Sequence, residues 1–146
     1  MKRILPLLLL CTLVSAISKA QTITWNSTPV VDYYAEIPVL STDGDSVYIE
    51  YTVNWPGSLD ASDENNIWIA LYSSYANYAA NFPFLLKEEW FPDGGSPITG
   101  SKTYRLSFYV GNVTTPTSYW VDFGTYFKYN GGQLGDNSMN VITYTP

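Results

Sequence analysis

From residue 46 to residue 144, apolar side chains recur at nearly every second position, and this period constrains the fold more than any other feature. Val47, Ile49, Tyr51, Val53 and Trp55 fall on one side of an extended chain, with Tyr48, Glu50, Thr52 and Asn54 on the other. Successive side chains of an extended backbone point to opposite faces, so the pattern predicts a half-buried strand. Pro56-Gly57 closes it. Over 66–73, Ile67, Ile69 and Leu71 oppose Trp68, Ala70 and Tyr72; both sides are apolar, which predicts a central strand. Over 102–110, Tyr104, Leu106, Phe108 and Val110 alternate with Thr103, Arg105, Ser107 and Tyr109. A long strand is expected over 119–129, where the interior Gly124 predicts a bulge or bend. A last strand is expected over 139–144, and two shorter ones over 22–25 and 36–40. Residues 84–91 fit a short helix or a strand, because Lys87-Glu88-Glu89 interrupts the alternation. Asp43-Gly44-Asp45, Pro92-Asp93-Gly94-Gly95 and Asn130-Gly131-Gly132 read as turns or loop starts.

Seven or eight such segments with no long amphipathic helical pattern predict an all-β fold. The expected architecture is a two-layer antiparallel sandwich of the immunoglobulin or fibronectin type III kind. One domain over 21–146 is expected, preceded by a secretory signal over 1–20. Lys2 and Arg3 begin that segment, an apolar run follows, and Ser18-Lys19-Ala20 puts small residues at the two positions a signal peptidase reads. The run is far shorter than the roughly 20 residues of a spanning helix, so no membrane span is expected. Cys11 follows four leucines rather than the small residue a lipid-attachment site needs, so it is read as part of the apolar run. Cleavage after Ala20 removes this sole cysteine, and the chain has no histidine. The exported domain would then be held by packing alone. A secreted or cell-surface location is expected, the periplasm in a bacterium.

Four pieces resemble a known module in order. They are 45–51 (Asp-Ser-Val-Tyr-Ile-Glu-Tyr), 66–73 (Asn-Ile-Trp-Ile-Ala-Leu-Tyr-Ser), 104–108 (Tyr-Arg-Leu-Ser-Phe) and 124–129 (Gly-Thr-Tyr-Phe-Lys-Tyr). This arrangement resembles the N-terminal fibronectin-like domain of purple acid phosphatases and the SKICH domain. Those modules carry an Asp-Trp-Ile-Gly-Leu-Tyr-like strand and a late Gly-x-Tyr-x-x-x-Tyr-like one. Ile67 stands here in place of their Asp, and Ala70 in place of their Gly. The resemblance implies a fold and no activity, since the phosphatase catalytic domain has no counterpart in this chain.

Without histidine or a mature cysteine, Ser-His-Asp and Cys-His arrangements are excluded, as are imidazole or thiolate zinc sites. No glycine-rich phosphate loop opens a helix. After residue 20 only Lys87, Lys102, Arg105 and Lys128 oppose 13 acidic side chains, a formal charge of −9. Nucleic acid is therefore not an expected partner. Glu88 and Glu89 beside Trp90 are the pair a glycosidase could use, but such chemistry needs two carboxyls across a cleft. An enzyme is not expected. Calcium is the one cofactor the residues offer. Asp60, Asp63 and Glu64 form an oxygen-rich loop, and Asp136 could join it if the two loops share one end of a sandwich. Asn26-Ser27-Thr28 and Asn112-Val113-Thr114 are glycosylation sequons.

The 13 tyrosines, five tryptophans and six phenylalanines all follow residue 20. Tyr48, Trp68, Tyr72, Tyr75, Tyr78, Tyr109 and Trp120 fall outside the expected core and are candidates for a binding face. The first functional expectation is a secreted non-catalytic module acting through protein contacts: adhesive, surface-structural or a fibre subunit. Its partner would be another protein or a second copy, and residues 21–34 would be an ordinary first strand or an arm onto a neighbour. The alternative is a carbohydrate-binding module whose exposed Tyr and Trp take a glycan.

Overall fold

The computed structural model describes residues 21–31, 35–54, 59–91, 101–135 and 137–146. The predicted signal segment 1–20, Trp55 with the Pro56-Gly57 turn, the 92–95 turn and Asp136 lie outside the described residues, as do residues 32–34 of the first segment.

The described chain forms β1 (Thr22–Trp25), β2 (Val39–Asp43), β3 (Ser46–Asn54), β4 (Asn66–Tyr72), α1 (Tyr75–Ala79), β5 (Leu85–Trp90), β6 (Ser101–Tyr109), β7 (Thr117–Tyr129), β8 (Gly132–Leu134) and β9 (Asn137–Thr145). All pairings are antiparallel. The larger sheet runs β1-β9-β7-β4-β5, with β8 on β7; the smaller runs β2-β3-β6. The all-β expectation therefore holds, with nine strands among the described residues rather than seven or eight. None of the described helices is long and apolar enough to cross a membrane.

The period of two sets the core. Val47, Ile49, Tyr51 and Val53 of β3 and Tyr104, Leu106 and Phe108 of β6 are buried on the inner face of the smaller sheet. Ile67, Ile69 and Leu71 of β4, Val121, Phe123 and Phe127 of β7, and Ile142 and Tyr144 of β9 join them from the larger sheet in one cluster. Rings meet between the layers, Tyr51 on Phe123 at 5.1 Å. Where β5 and β6 flank each other, Lys102 Nζ lies 2.6 Å from Glu89 Oε2. Lys87 Nζ donates to the Arg105 carbonyl at 3.2 Å along the same edge.

Four expectations change in detail. Residues 84–91 resolve as β5, its register on β4 unbroken from Leu71↔Leu85 to Asn66↔Trp90. No bulge interrupts the ladders at Gly124, which stands opposite Trp68 on one side and Asn137 on the other, in constant register. The 36–40 strand begins later, at Val39. Pro38 has no N–H for a ladder, and Ala35 faces Val53 one residue out of step with the Val39↔Glu50 register. Asn130-Gly131 is a tight hairpin turn, not the start of a long loop: Tyr129 pairs Gly132, and both turn residues have positive φ, 49° and 75°. Two positive φ values are what a two-residue turn needs to follow the twist of its strands, and Asn-Gly adopts them readily. The first segment pairs at home: β1 lies on β9, and Trp25 Nε1 donates to the Pro38 carbonyl at 3.1 Å.

Candidate functional site

The outward side chains of β4, β5 and β7 form a grid set by register. Asn66 lies between Trp90 and Tyr126, Trp68 between Glu88 and Gly124, and Ala70 between Leu86 and Asp122. Ala70 and Gly124 carry the smallest side chains of that grid, so the surface dips between larger neighbours. The result is a groove of about 580 Å³ on the face turned away from the core, bounded at its ends by Glu64 and by Tyr72, Asn81 and Pro83. That size is in the range of small-molecule sites, which mix apolar walls with a few fixed polar groups.

Local hydrogen bonds hold the polar atoms in place. Trp68 Nε1 donates to Asp122 Oδ2 at 3.1 Å, tying the indole across the Gly124 gap. Asn66 Nδ2 donates to Glu88 Oε1 at 3.1 Å. At one end the Tyr126 hydroxyl donates to Glu64 Oε2 at 3.1 Å, and Lys128 Nζ stands 3.8 Å from the same oxygen. Trp90 is 51% exposed and offers its ring to solvent.

The other end is built by α1. Ser74 caps the helix, its Oγ accepting from the Asn77 N–H at 3.2 Å. After the C-cap, Asn81 takes positive φ, 53°, a conformation asparagine tolerates better than most residues. That turn brings Asn81 Oδ1 to the Tyr72 hydroxyl, 3.4 Å away. Tyr78 meets Tyr72 edge-on at 5.4 Å, and Tyr75 lies 6.0 Å from Tyr78. Burial first, then the Asp122 charge, raises the Tyr72 and Tyr78 phenols above their ordinary range. Both stay neutral hydroxyls, able to donate.

Of the aromatic candidates from sequence, Trp68 and Tyr72 line the groove. Tyr78 supports Tyr72, Tyr75 stands exposed beside it, and Trp120 faces outward opposite Tyr72. Tyr75 and Tyr78 belong to the short helix α1 rather than to a strand face. Tyr48 and Tyr109 lie on the outer face of the other sheet. There Tyr48 carries the Arg105 guanidinium 3.8 Å above its ring, and Tyr109 is 64% exposed. The seven do not form one face.

The Asp60 loop and the β7–β8 hairpin do meet, as expected, through a 2.7 Å hydrogen bond from the Gly131 N–H to Asp60 Oδ2. Asp63 is exposed, and Glu64 turns toward Tyr126. Among the described residues no group of three or more His, Cys, Asp or Glu gathers where it would hold a metal ion, and Asp136 lies outside them. Asn26 and Asn112 are both exposed; Asn26 Oδ1 accepts from Thr143 Oγ1 at 2.8 Å.

Sequence reasoning missed Trp90, Glu88, Asn66, Tyr126, Asp122 and Asn81 as groove residues. The signal for the first two was present: a strand over 84–91 puts Leu86, Glu88 and Trp90 on one face and Lys87 and Glu89 on the other. Glu88 and Glu89 therefore point to opposite sides of the sheet and cannot act as a pair. Comparison with family models, with curated proteins and with solved structures found no match to this chain.

Proposed function

We propose that this is an exported, non-catalytic binding domain that takes a carbohydrate in the groove over β4, β5 and β7. The observation that carries the reading is the grid itself: Trp68, Trp90 and Tyr126 alternate with Asn66, Glu88 and Asp122 across three strands. Sugars present flat apolar C–H faces and a rim of hydroxyls. Indole and phenol rings cover the faces, while carboxylates and amides accept and donate at the rim. The Trp68–Asp122 and Asn66–Glu88 hydrogen bonds fix those groups before a ligand arrives, which lowers the ordering cost of binding.

The strand order supports an immunoglobulin or fibronectin type III assignment for the scaffold. β2, β3 and β6 take the places of strands A, B and E, and β5, β4, β7 and β9 those of C′, C, F and G. Export rests on the residue 1–20 pattern, and exposed Asn26 and Asn112 would accept glycans where the host attaches them.

A second reading, protein contact, draws on the apolar rim beside the groove, where Phe82 is 72% exposed and Tyr75 and Leu86 are also open. Calorimetry with a panel of oligosaccharides separates the two. A sugar is expected to bind, Trp90→Ala to weaken it about tenfold or more, and Tyr109→Ala on the opposite sheet to leave it unchanged. Equal affinity in wild type and Trp90→Ala would remove the groove as the site. Assembly seen by light scattering with no sugar bound would favour protein contact, and release of shortened sugars would overturn the non-catalytic assignment.

A further inference from the structure

We infer that the β7–β8 turn carries a self-modification site: Asn130 loses its side-chain amide through attack by the Gly131 nitrogen, at a rate that Asp60 governs. Asn130 is the one asparagine of the chain that is followed by glycine. Both residues are exposed at the tip of the hairpin, where water reaches them. The reaction brings the nitrogen after an asparagine onto its side-chain carbonyl carbon, Cγ, and a side chain on the following residue crowds that approach. Gly131 has none, and the space where its Cβ would stand is open. Asn112 is exposed too, but the β-branched Val113 follows it and hinders the same attack.

The step needs only water. A bond forms between the Gly131 nitrogen and Asn130 Cγ, the Cγ–Nδ2 bond breaks, and Nδ2 leaves as ammonia with the proton of the attacking nitrogen. Water then opens the five-membered imide. Cleavage at Cγ leaves aspartate; cleavage at the main-chain carbonyl leaves isoaspartate, whose backbone runs through the side chain. One water enters and one ammonia departs.

The folded turn opposes ring closure. Asn130 has φ 49°. The left-handed region pairs such a φ with a ψ of about +30 to +60°. That ψ swings the Gly131 nitrogen away from Cβ, and so out of reach of Cγ. The turn must open before the ring can form, and Asp60 holds it shut. Asp60 Oδ2 accepts the Gly131 N–H at 2.7 Å, and this nitrogen is the one that must attack. A carboxylate acceptor makes that bond stronger than one between neutral groups. Asp60 is placed for it by its own N–H, which donates to the Lys128 carbonyl at 2.9 Å. The product does not resume the turn. A new carboxylate stands beside Asp60, and isoaspartate lengthens a two-residue link between the paired Tyr129 and Gly132.

The test is incubation of the full chain in mildly alkaline buffer, with peptide mapping for the amide-to-acid mass gain at Asn130 and enzymatic detection of isoaspartate. A peptide of residues 127–133 reports the rate without the fold. Conversion at Asn130 is expected, with isoaspartate among the products, at least about tenfold slower than in the peptide. Asp60→Ala removes the latch but leaves the backbone hydrogen bonds of residue 60, and should raise the rate about threefold or more toward that of the peptide. Asp60→Asn keeps an acceptor oxygen without the charge and should fall between the two. All rates are read where urea unfolding finds each variant folded. An intact Asn130 after the peptide has fully converted would overturn the site. Equal rates in peptide and folded chain would overturn the gate, and an unchanged rate in Asp60→Ala would overturn the part given to Asp60.

Discussion

Asn65 has no solvent-exposed surface, and its side chain serves as a piece of backbone. Its Nδ2 donates to the Asp60 carbonyl at 2.6 Å, and its Oδ1 accepts the Lys128 N–H at 2.7 Å. The Asp60 N–H completes the exchange by donating to the Lys128 carbonyl at 2.9 Å. The acidic loop thus prolongs the β4 side of the ladder past the point where β4 itself ends. Asn65→Ala would strand buried backbone groups, and a buried donor or acceptor left unmade costs about 1–3 kcal/mol. A loss of about 2–3 kcal/mol is expected in urea unfolding, and a change below about 0.5 kcal/mol would contradict the role. From sequence the loop reads as a row of oxygen ligands; the composition of a clamp and of a cation loop is the same. Gly124 shows the same limit. Only Gly44, Gly131 and Gly135 among the described glycines adopt positive φ. The backbone at 124 therefore makes no demand for glycine; its bareness matters because Trp68 stands opposite.

At the level of elements, alternation was enough to place β3, β4, β6 and β7 within one or two residues, because each has a predominantly apolar inner face. β5 was not legible in the same way. It is an edge strand that bridges to β6 through Lys87 and Glu89, so its inner face is charged and its outer face carries Leu86 and Trp90. Charged side chains along an edge also discourage pairing with a neighbour. The link from β8 into β9 depends on Gly135, whose φ is +98°, and a Cβ there would strike the backbone of Thr125. Gly44, at +54° in the β2–β3 turn, has open space around it. Gly135→Ala should therefore cost distinctly more than the roughly 1 kcal/mol of backbone strain expected for Gly44→Ala. Thermal unfolding of the two variants gives the comparison, and equal losses would show that crowding at Thr125 is relieved elsewhere.

Across the whole molecule, one core joins both sheets, so unfolding should be cooperative and its pH dependence should report the buried phenols. Burial first, then the neighbouring Glu89 carboxylate, raises Tyr104 far above the ordinary phenol range; burial also raises Tyr119, Tyr72 and Tyr78. An unfolded tyrosine ionises near pH 10. The folded state keeps protons that the unfolded state releases, so this contribution is complete below about pH 10 and is lost as pH rises beyond it. Denaturant midpoints should fall in that window, with phenolate absorbance rising as the chain unfolds. Tyr104→Phe should flatten the fall. Full ionisation of the tyrosines in a chain that stays folded would contradict this. By itself the sequence determined the strand faces and the all-β class, because a period of two is a local property that each segment expresses alone. It also excluded histidine chemistry by composition. Only the tertiary structure decided which outward faces share a surface. Trp90, Asn66 and Tyr126 are adjacent because three strands remote in sequence lie side by side in one register, and register is settled by burying all the inner faces at once.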